Sequence, residues 1–215
     1  MTAVMIQNKV FFRLLCLGLL IFTAHLSATD TFDSVMQRMN SNVPVRISYR
    51  ETRSLELMDN PWYASGYMFS KPPNIIIREQ LEPERLLMGV SSEGMLYFDA
   101  VRNIRHKVDL PEDDPLSLNV SVFKALAHAD KVLLMRLYEV DFSSKKDGWE
   151  MQLNQKGKDD PSFSIIVSGP PNKPANRVVV QQEDGDVSSF LLTKYTDGYE
   201  VSTKANDLYL ELIGE

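Results

Sequence analysis

Side chains capable of covalent or metal chemistry are few in this chain. Cys16 is the only cysteine, and the histidines are His25, His106 and His128. Lipidation of Cys16 would call for small residues just before it, and Arg13, Leu14 and Leu15 stand there instead. His106 and His128 sit in neither a Gly-x-Ser-x-Gly nor a His-x-x-His setting, so an esterase or a zinc hydrolase lacks its parts. Glu112-Asp113-Asp114 has the charge for calcium but not the alternating ligand spacing. Bounded by Pro111 and Pro115, it reads as a solvated loop that ends in a helix cap. The sequence predicts no enzyme, no metal and no cofactor.

The same residues say where the folded part begins. Lys9 and Arg13 precede an uncharged apolar run over 14–24, and His25-Leu26-Ser27-Ala28 places a small residue where a cut would fall. That order is a secretory signal peptide over residues 1–28, and the run is short for a membrane span of about 20 residues. The expected product is one domain, 29–215, in the periplasm, with no cysteine and so no disulfide or thiolate site. The signal carries two cations and no anion, so its removal takes the net charge from −6 to −8. An acidic protein is a poor match for nucleic acid or for an anionic membrane surface.

Residues 45–99 organise the rest. Runs of β-branched and aromatic residues are broken there by Asp59-Asn60-Pro61, Pro72-Pro73-Asn74 and Ser91-Ser92-Glu93-Gly94, the punctuation of an antiparallel meander. Val45, Ile47 and Tyr49 alternate with Arg46, Ser48 and Arg50, which puts one face in an apolar interior. Strands are expected over 45–55, 62–70, 74–79, 85–90, 95–99 and 103–110. Further strands are expected over 138–145, 149–156, 162–168, 177–183 and 187–195, and 207–213 reads as one more. Phe32, Val35, Met36 and Met39 form a helical stripe after an N-cap at Asp30 or Thr31. A second helix over 116–129 has Val120, Phe123, Leu126 and Ala127 on one side, and 131–137 makes another short helical turn.

Ten or eleven antiparallel strands must curl, split or close. The helices are too short to stay folded undocked. The fold expected is therefore mainly β (α+β): an incomplete, strongly curled antiparallel barrel with a lid of short α-helices over its concave apolar face. Such a cavity suits an acyl chain. Met36, Met39, Met58, Met68, Met88, Met95, Met135 and Met151 are numerous enough to fill either an ordinary core or an adaptable pocket. Arg46, Arg50, Arg53, Arg78 and Arg85, with Glu51, Glu79, Glu82 and Glu84, read as the outer face of the sheet.

Two segments also carry a family resemblance. "YRETRSLELMDNPWYASGYMFSKPPN" (49–74) and "VSSEGMLYFDA" (90–100) resemble the LolA-like family, periplasmic carriers of outer-membrane lipoproteins. Gly66 stands seven residues before Pro73, as in that family. The resemblance implies a half-barrel in which acyl chains enter between lid and sheet, and a carrier that passes cargo from an inner-membrane transporter to an outer-membrane receptor. The family often has an Arg before the turn proline that helps hold the closed lid. Pro72 stands there here, with Lys71 beside it, and Lys is a poorer match to a planar multi-donor role.

Alternation and the family's register together place Val45, Ile47, Tyr49, Met68, Ile76, Met88, Val90, Leu96 and Phe98 on the concave, lipid-binding face. Tyr67, Met68 and Phe69 are all apolar, so the phase of that strand stays open. Phe32, Val35, Met36, Met39, Val120, Phe123 and Leu126 are the lid contacts. The function expected is a soluble monomeric chaperone for a lipoprotein or other lipid, without nucleic acid as partner. A lipid-sensing regulatory module of the same fold is the alternative. The residues do not choose between a lipoprotein, a glycolipid and a polyene-like pigment lipid as cargo.

Overall fold

The computed structural model describes residues 29–73, 75–91, 94–109, 115–157, 163–182 and 184–215, with backbone only at 115–119. The expected signal peptide with Cys16, the turn residues Asn74 and Ser92-Glu93, and the acidic loop at 110–114 lie outside the described residues.

Eleven strands form one antiparallel sheet. In chain order they are β1 (Val45–Ser54), β2 (Trp62–Lys71), β3 (Ile75–Glu82), β4 (Leu86–Ser91), β5 (Gly94–Asp99), β6 (Ile104–Val108), β7 (Tyr138–Lys145), β8 (Gly148–Gln155), β9 (Ser164–Gly169), β10 (Arg177–Gln181) and β11 (Val187–Asp197). In space the order is β6-β5-β4-β3-β2-β1-β11-β10-β9-β8-β7. Two meanders thus meet where β1 pairs with β11, and β6 and β7 remain edges, so the barrel is incomplete. A sheet this wide cannot stay flat, because each strand carries a right-handed twist.

Three helices lie on the concave side. α1 (Phe32–Met39) starts at Thr31, whose side chain accepts from the Ser34 amide while the Ser34 hydroxyl oxygen accepts from Thr31 N. Asp30 is not the cap. It is buried, pairs with Arg38 and accepts from the Asn172 amide at 2.9 Å, fastening α1 to the β9–β10 loop. α2 (Pro115–Ala127) and α3 (Lys131–Leu137) connect β6 to β7, and Asp130 caps α3 by accepting from Leu133 N at 2.9 Å. Val35, Met36, Val122, Ala125 and Leu134 from these helices enter one core with Tyr138, Trp149, Met151, Leu153, Ile165 and Val167 of the sheet.

The opposite face of the sheet is covered as well, against expectation. Residues 207–213 are not a strand but belong to a fourth helix, α4 (Tyr199–Ile213). Its stripe Val201, Ala205, Leu208 and Leu212 has the 4-3-4 spacing of a helix face. It packs on Phe69, Ile77, Leu87 and Phe98 to form a second core. Gly89 makes room for it, since a Cβ there would come 2.7 Å from Leu212 Cδ1. Arg85 then holds the helix from the sheet side, donating to both Glu211 oxygens and to Glu79. The charge-assisted bond with Glu211 raises the Arg85 pKa and lowers that of Glu211. None of the helices described is long and apolar enough to cross a membrane.

Candidate functional site

Pairing across β1 builds the floor of a cavity. Val45 faces Ser70, Ile47 faces Met68, and Ser70 in turn faces Ile76, so these side chains share one face of three adjacent strands. Phe190 and Leu192 of β11, Val178 of β10 and Val167 of β9 continue the wall on the other side of β1. Phe123, Leu126 and Ala127, the end of α2, roof it, and Met39, Asn40 and Ser41 close one flank. The space, which is open on one side, is about 470 Å³. Its walls are mostly apolar, and its polar groups come from the end of α1 (Arg38, Asn40, Ser41), the end of β11 (Thr196, Asp197) and Ser70 near the end of β2. Tyr195 stands at this end too. Its hydroxyl turns inward to donate to Ala175 O, and burial pushes its pKa up to about 12.

Further along the same face the apolar strip gives way to a polar knot. Tyr49 and Glu51 follow Ile47 in the alternation, and Arg78 follows Ile76. Arg78 Nε donates to Tyr49 Oη at 2.9 Å, and Arg78 Nη2 donates to Gln80 Oε1 at 3.2 Å and pairs with Glu51. Arg53 Nη2 reaches the other Glu51 oxygen at 2.8 Å. The guanidinium of Arg78 also lies over the Tyr49 ring, 4.9 Å from its centroid. Gly66, opposite Tyr49, approaches its neighbour so closely that a Cβ would sit 2.0 Å from Glu79 O. Burial raises the Tyr49 pKa, and Arg78 works against that rise.

The lid is tied at the end of α2. Ser70 Oγ donates to Ala127 O at 3.3 Å and lies 3.4 Å from His128 Nδ1. His128 Nε2 is buried without a partner among the described residues. Burial and, secondarily, Lys124 depress the His128 pKa, with Asp130 opposing. α1 and α3 are linked by the Asp33–Lys131 pair, and the Lys131 ammonium stands 5.5 Å from the centroid of the Phe32 ring.

Of the residues the sequence placed on the concave face, Val45, Ile47, Met68 and Ile76 border the cavity. Tyr49 faces the same side but is packed into the core at 2% exposure. Met88 and Val90 pair with Arg78 and Ile76, so they share that face without bordering the cavity. Leu96 and Phe98 are corrections: both lie on the opposite face against α4. Register settles the phase of β2, with Met68 toward the cavity and Tyr67 and Phe69 toward α4. Arg78 and Glu51, read as outer charges, point inward, and Glu51 is 1% exposed.

Among the lid residues, Val35 and Met36 are buried, Phe32 and Met39 pack against the same core, and Phe123 and Leu126 border the cavity. Val120 is buried away from the cavity. Val122 and Ala125, fully buried, were missed because α2 turns a second face to α1 and α3. Lys71 does not hold the lid: its ammonium donates to Asn206 of α4. The cavity residues from β9 to β11 were missed too. Their apolar alternation is present in the sequence, but nothing in it says that β11 lies beside β1.

No family model matches the chain, and no curated protein matches it. Solved structures similar to it include a LolA superfamily protein from Nitrosomonas europaea, 8% identical with a TM-score of 0.46, covering 78% of this chain and 92% of that one. Another is a putative outer membrane lipoprotein-sorting protein domain from Vibrio parahaemolyticus, 8% identical with a TM-score of 0.42, covering 82% and 97%. LprF from Mycobacterium bovis is 11% identical with a TM-score of 0.36, covering 78% and 92%. At these scores the likeness is one of general shape, and the functional reading rests on the cavity of this chain.

Proposed function

We propose that this protein is a non-catalytic carrier that shelters an acyl chain of a lipoprotein or other lipid between the curled sheet and the end of α2. The observation behind it is the cavity itself. A space of about 470 Å³ is within the usual range for a ligand site, roughly 300–1,000 Å³. Its walls are mostly aliphatic and aromatic, and most of its polar groups gather at the end of α1 and the end of β11. A lipid seated there buries its chain and leaves its head group near those groups. The lid suits uptake and release, since among the described residues the end of α2 is joined to the sheet beside the cavity by the Ser70 hydroxyl and by the apolar contacts of Leu126. Cargo would compete for that apolar surface, which is the differential interaction a switch requires.

In this reading the protein works in the periplasm after losing residues 1–28. It takes cargo from an inner-membrane transporter and yields it to an outer-membrane receptor. The test is to extract and identify the lipid that co-purifies with protein taken from its native host. A stoichiometric acyl lipid supports the reading. Protein that carries none, and takes none up when offered a lipid extract of that host, refutes it.

A further inference from the structure

We infer that the cavity takes one acyl chain at a time, making its cargo a single-chain amphiphile (a free fatty acid or a lysolipid) in preference to a lipid with two or three chains. This rests on the carrier reading above and narrows it.

The first ground is volume. A methylene fills about as much space as a water molecule, on the order of 30 Å³. A cavity of about 470 Å³ then holds roughly sixteen methylenes, one chain of ordinary length. Two such chains would leave much of their length outside it.

The second ground is what surrounds the cavity. The rest of the concave space, under α1 to α3, is already filled. Val35, Val122, Ala125, Leu134, Met151 and Leu153 are each 0% exposed and belong to one continuous core. Close-packed interiors of this kind have no slack for a second guest. Admitting a second guest would mean extracting α1, α2 and α3 from that core. Admitting one chain only has to part the contacts at the end of α2.

The third ground is the inner limit. Along β1 and β3 the apolar wall stops at the knot in which Arg78 donates to Tyr49 and pairs with Glu51. An alkyl chain advancing into it would strip a buried ion pair of its partners. The knot thus caps chain length. A guest chain lies between it and the polar groups at the end of α1, with its head toward the latter.

Purified protein freed of endogenous lipid tests this. Palmitate, 1-palmitoyl lysophosphatidylcholine and dipalmitoyl phosphatidylcholine are titrated against a bound fluorescent single-chain probe, with stoichiometry read by native mass spectrometry. Each single-chain ligand is expected to bind one to one, and the diacyl lipid at least tenfold more weakly. The ratio of the palmitate and lysolipid affinities identifies the preferred head group. Chain length is a second, independent readout, with affinity rising to about sixteen carbons and then falling. Ile76→Phe, which adds about three carbons to the wall, should move that optimum shorter, and Ile47→Phe serves if the first variant does not fold. Diacyl lipid binding as tightly as lysolipid, or two palmitates bound together, overturns the inference and leaves the carrier reading standing. If no lipid displaces the probe, the carrier reading itself falls.

Discussion

Met68 and Phe98 are both large apolar residues of the first meander, yet they lie on opposite faces of the sheet and should fail in opposite ways. Met68 borders the cavity, whereas Phe98 is 5% exposed beneath α4. Phe98→Ala removes a ring from a closed core at a cost of about 3–5 kcal/mol, a large part of a total stability of roughly 5–15 kcal/mol. It leaves the cavity wall untouched. Met68→Glu puts a carboxylate among aliphatic groups. An ion held there loses several kcal/mol of hydration, and escapes by taking a proton or by admitting water. Either way an acyl chain meets a polar wall, and a loss of about 3 kcal/mol in binding is roughly a hundredfold in affinity. Because Met68 is only half buried and stands beside open space, its effect on stability should stay near 1 kcal/mol. Urea unfolding measures the first quantity through its midpoint, and displacement of a fluorescent fatty acid from folded protein measures the second. The expected pattern is Phe98→Ala less stable with binding retained, and Met68→Glu folded with binding lost. Equal loss of binding in the two variants, at matched fraction folded, would refute the two-faced arrangement.

Gly89→Val should destabilise by about 1–3 kcal/mol, because the new side chain drives into Leu212; thermal unfolding will show it, and Leu212→Ala should restore part of the loss. Glu51→Ala leaves Arg78 and Arg53 without their shared carboxylate and should cost about 3–5 kcal/mol by urea unfolding, the range for breaking a buried pair. His128 should make the lid acid-sensitive. Its folded-state pKa lies below the ordinary 6.5. Above pH 6.5 the ring is neutral in both states and stability is flat. As pH falls through 6.5 the unfolded chain gains a proton that the folded one resists, so stability declines until the folded-state pKa is passed. His128→Gln should flatten that stretch of the pH profile, and an unchanged profile would show that another group sets it.

Most strands could be read from the sequence because each is a short run between turn residues, and Thr31 and the stripe after it were enough for α1. The faces were harder. Alternation assigns a face only when one side of the sheet is wet. Met95-Leu96-Tyr97-Phe98 is apolar at every position: Leu96 and Phe98 pack under α4, and Met95 and Tyr97 on the other face are half-buried, so its phase carried no signal. The cause is α4, and its stripe Val201, Ala205, Leu208, Leu212 was legible as a helix. The apolar run Leu208-Tyr209-Leu210 masked it by resembling a strand. Glu51 and Arg78 were misread for a different reason. Their positions in the alternation with Tyr49 and Ile76 already put them inside, but an isolated charge is expected outside, and only the contact between them resolves the conflict. The pairing of β1 with β11 joins residues 133 (Ser54 and Val187) to 152 (Val45 and Asp197) positions apart, and no local pattern specifies it.

The claim that the space between sheet and lid holds an acyl chain is tested most directly by a palmitate analogue with a photoreactive diazirine near its methyl end. After illumination and proteolysis, the label should map to cavity peptides containing Ile47, Met68, Ile76, Phe123 or Leu192, and excess palmitate should abolish it. Label confined to α4 or to the exposed edge strands, or label that palmitate does not displace, would contradict the account.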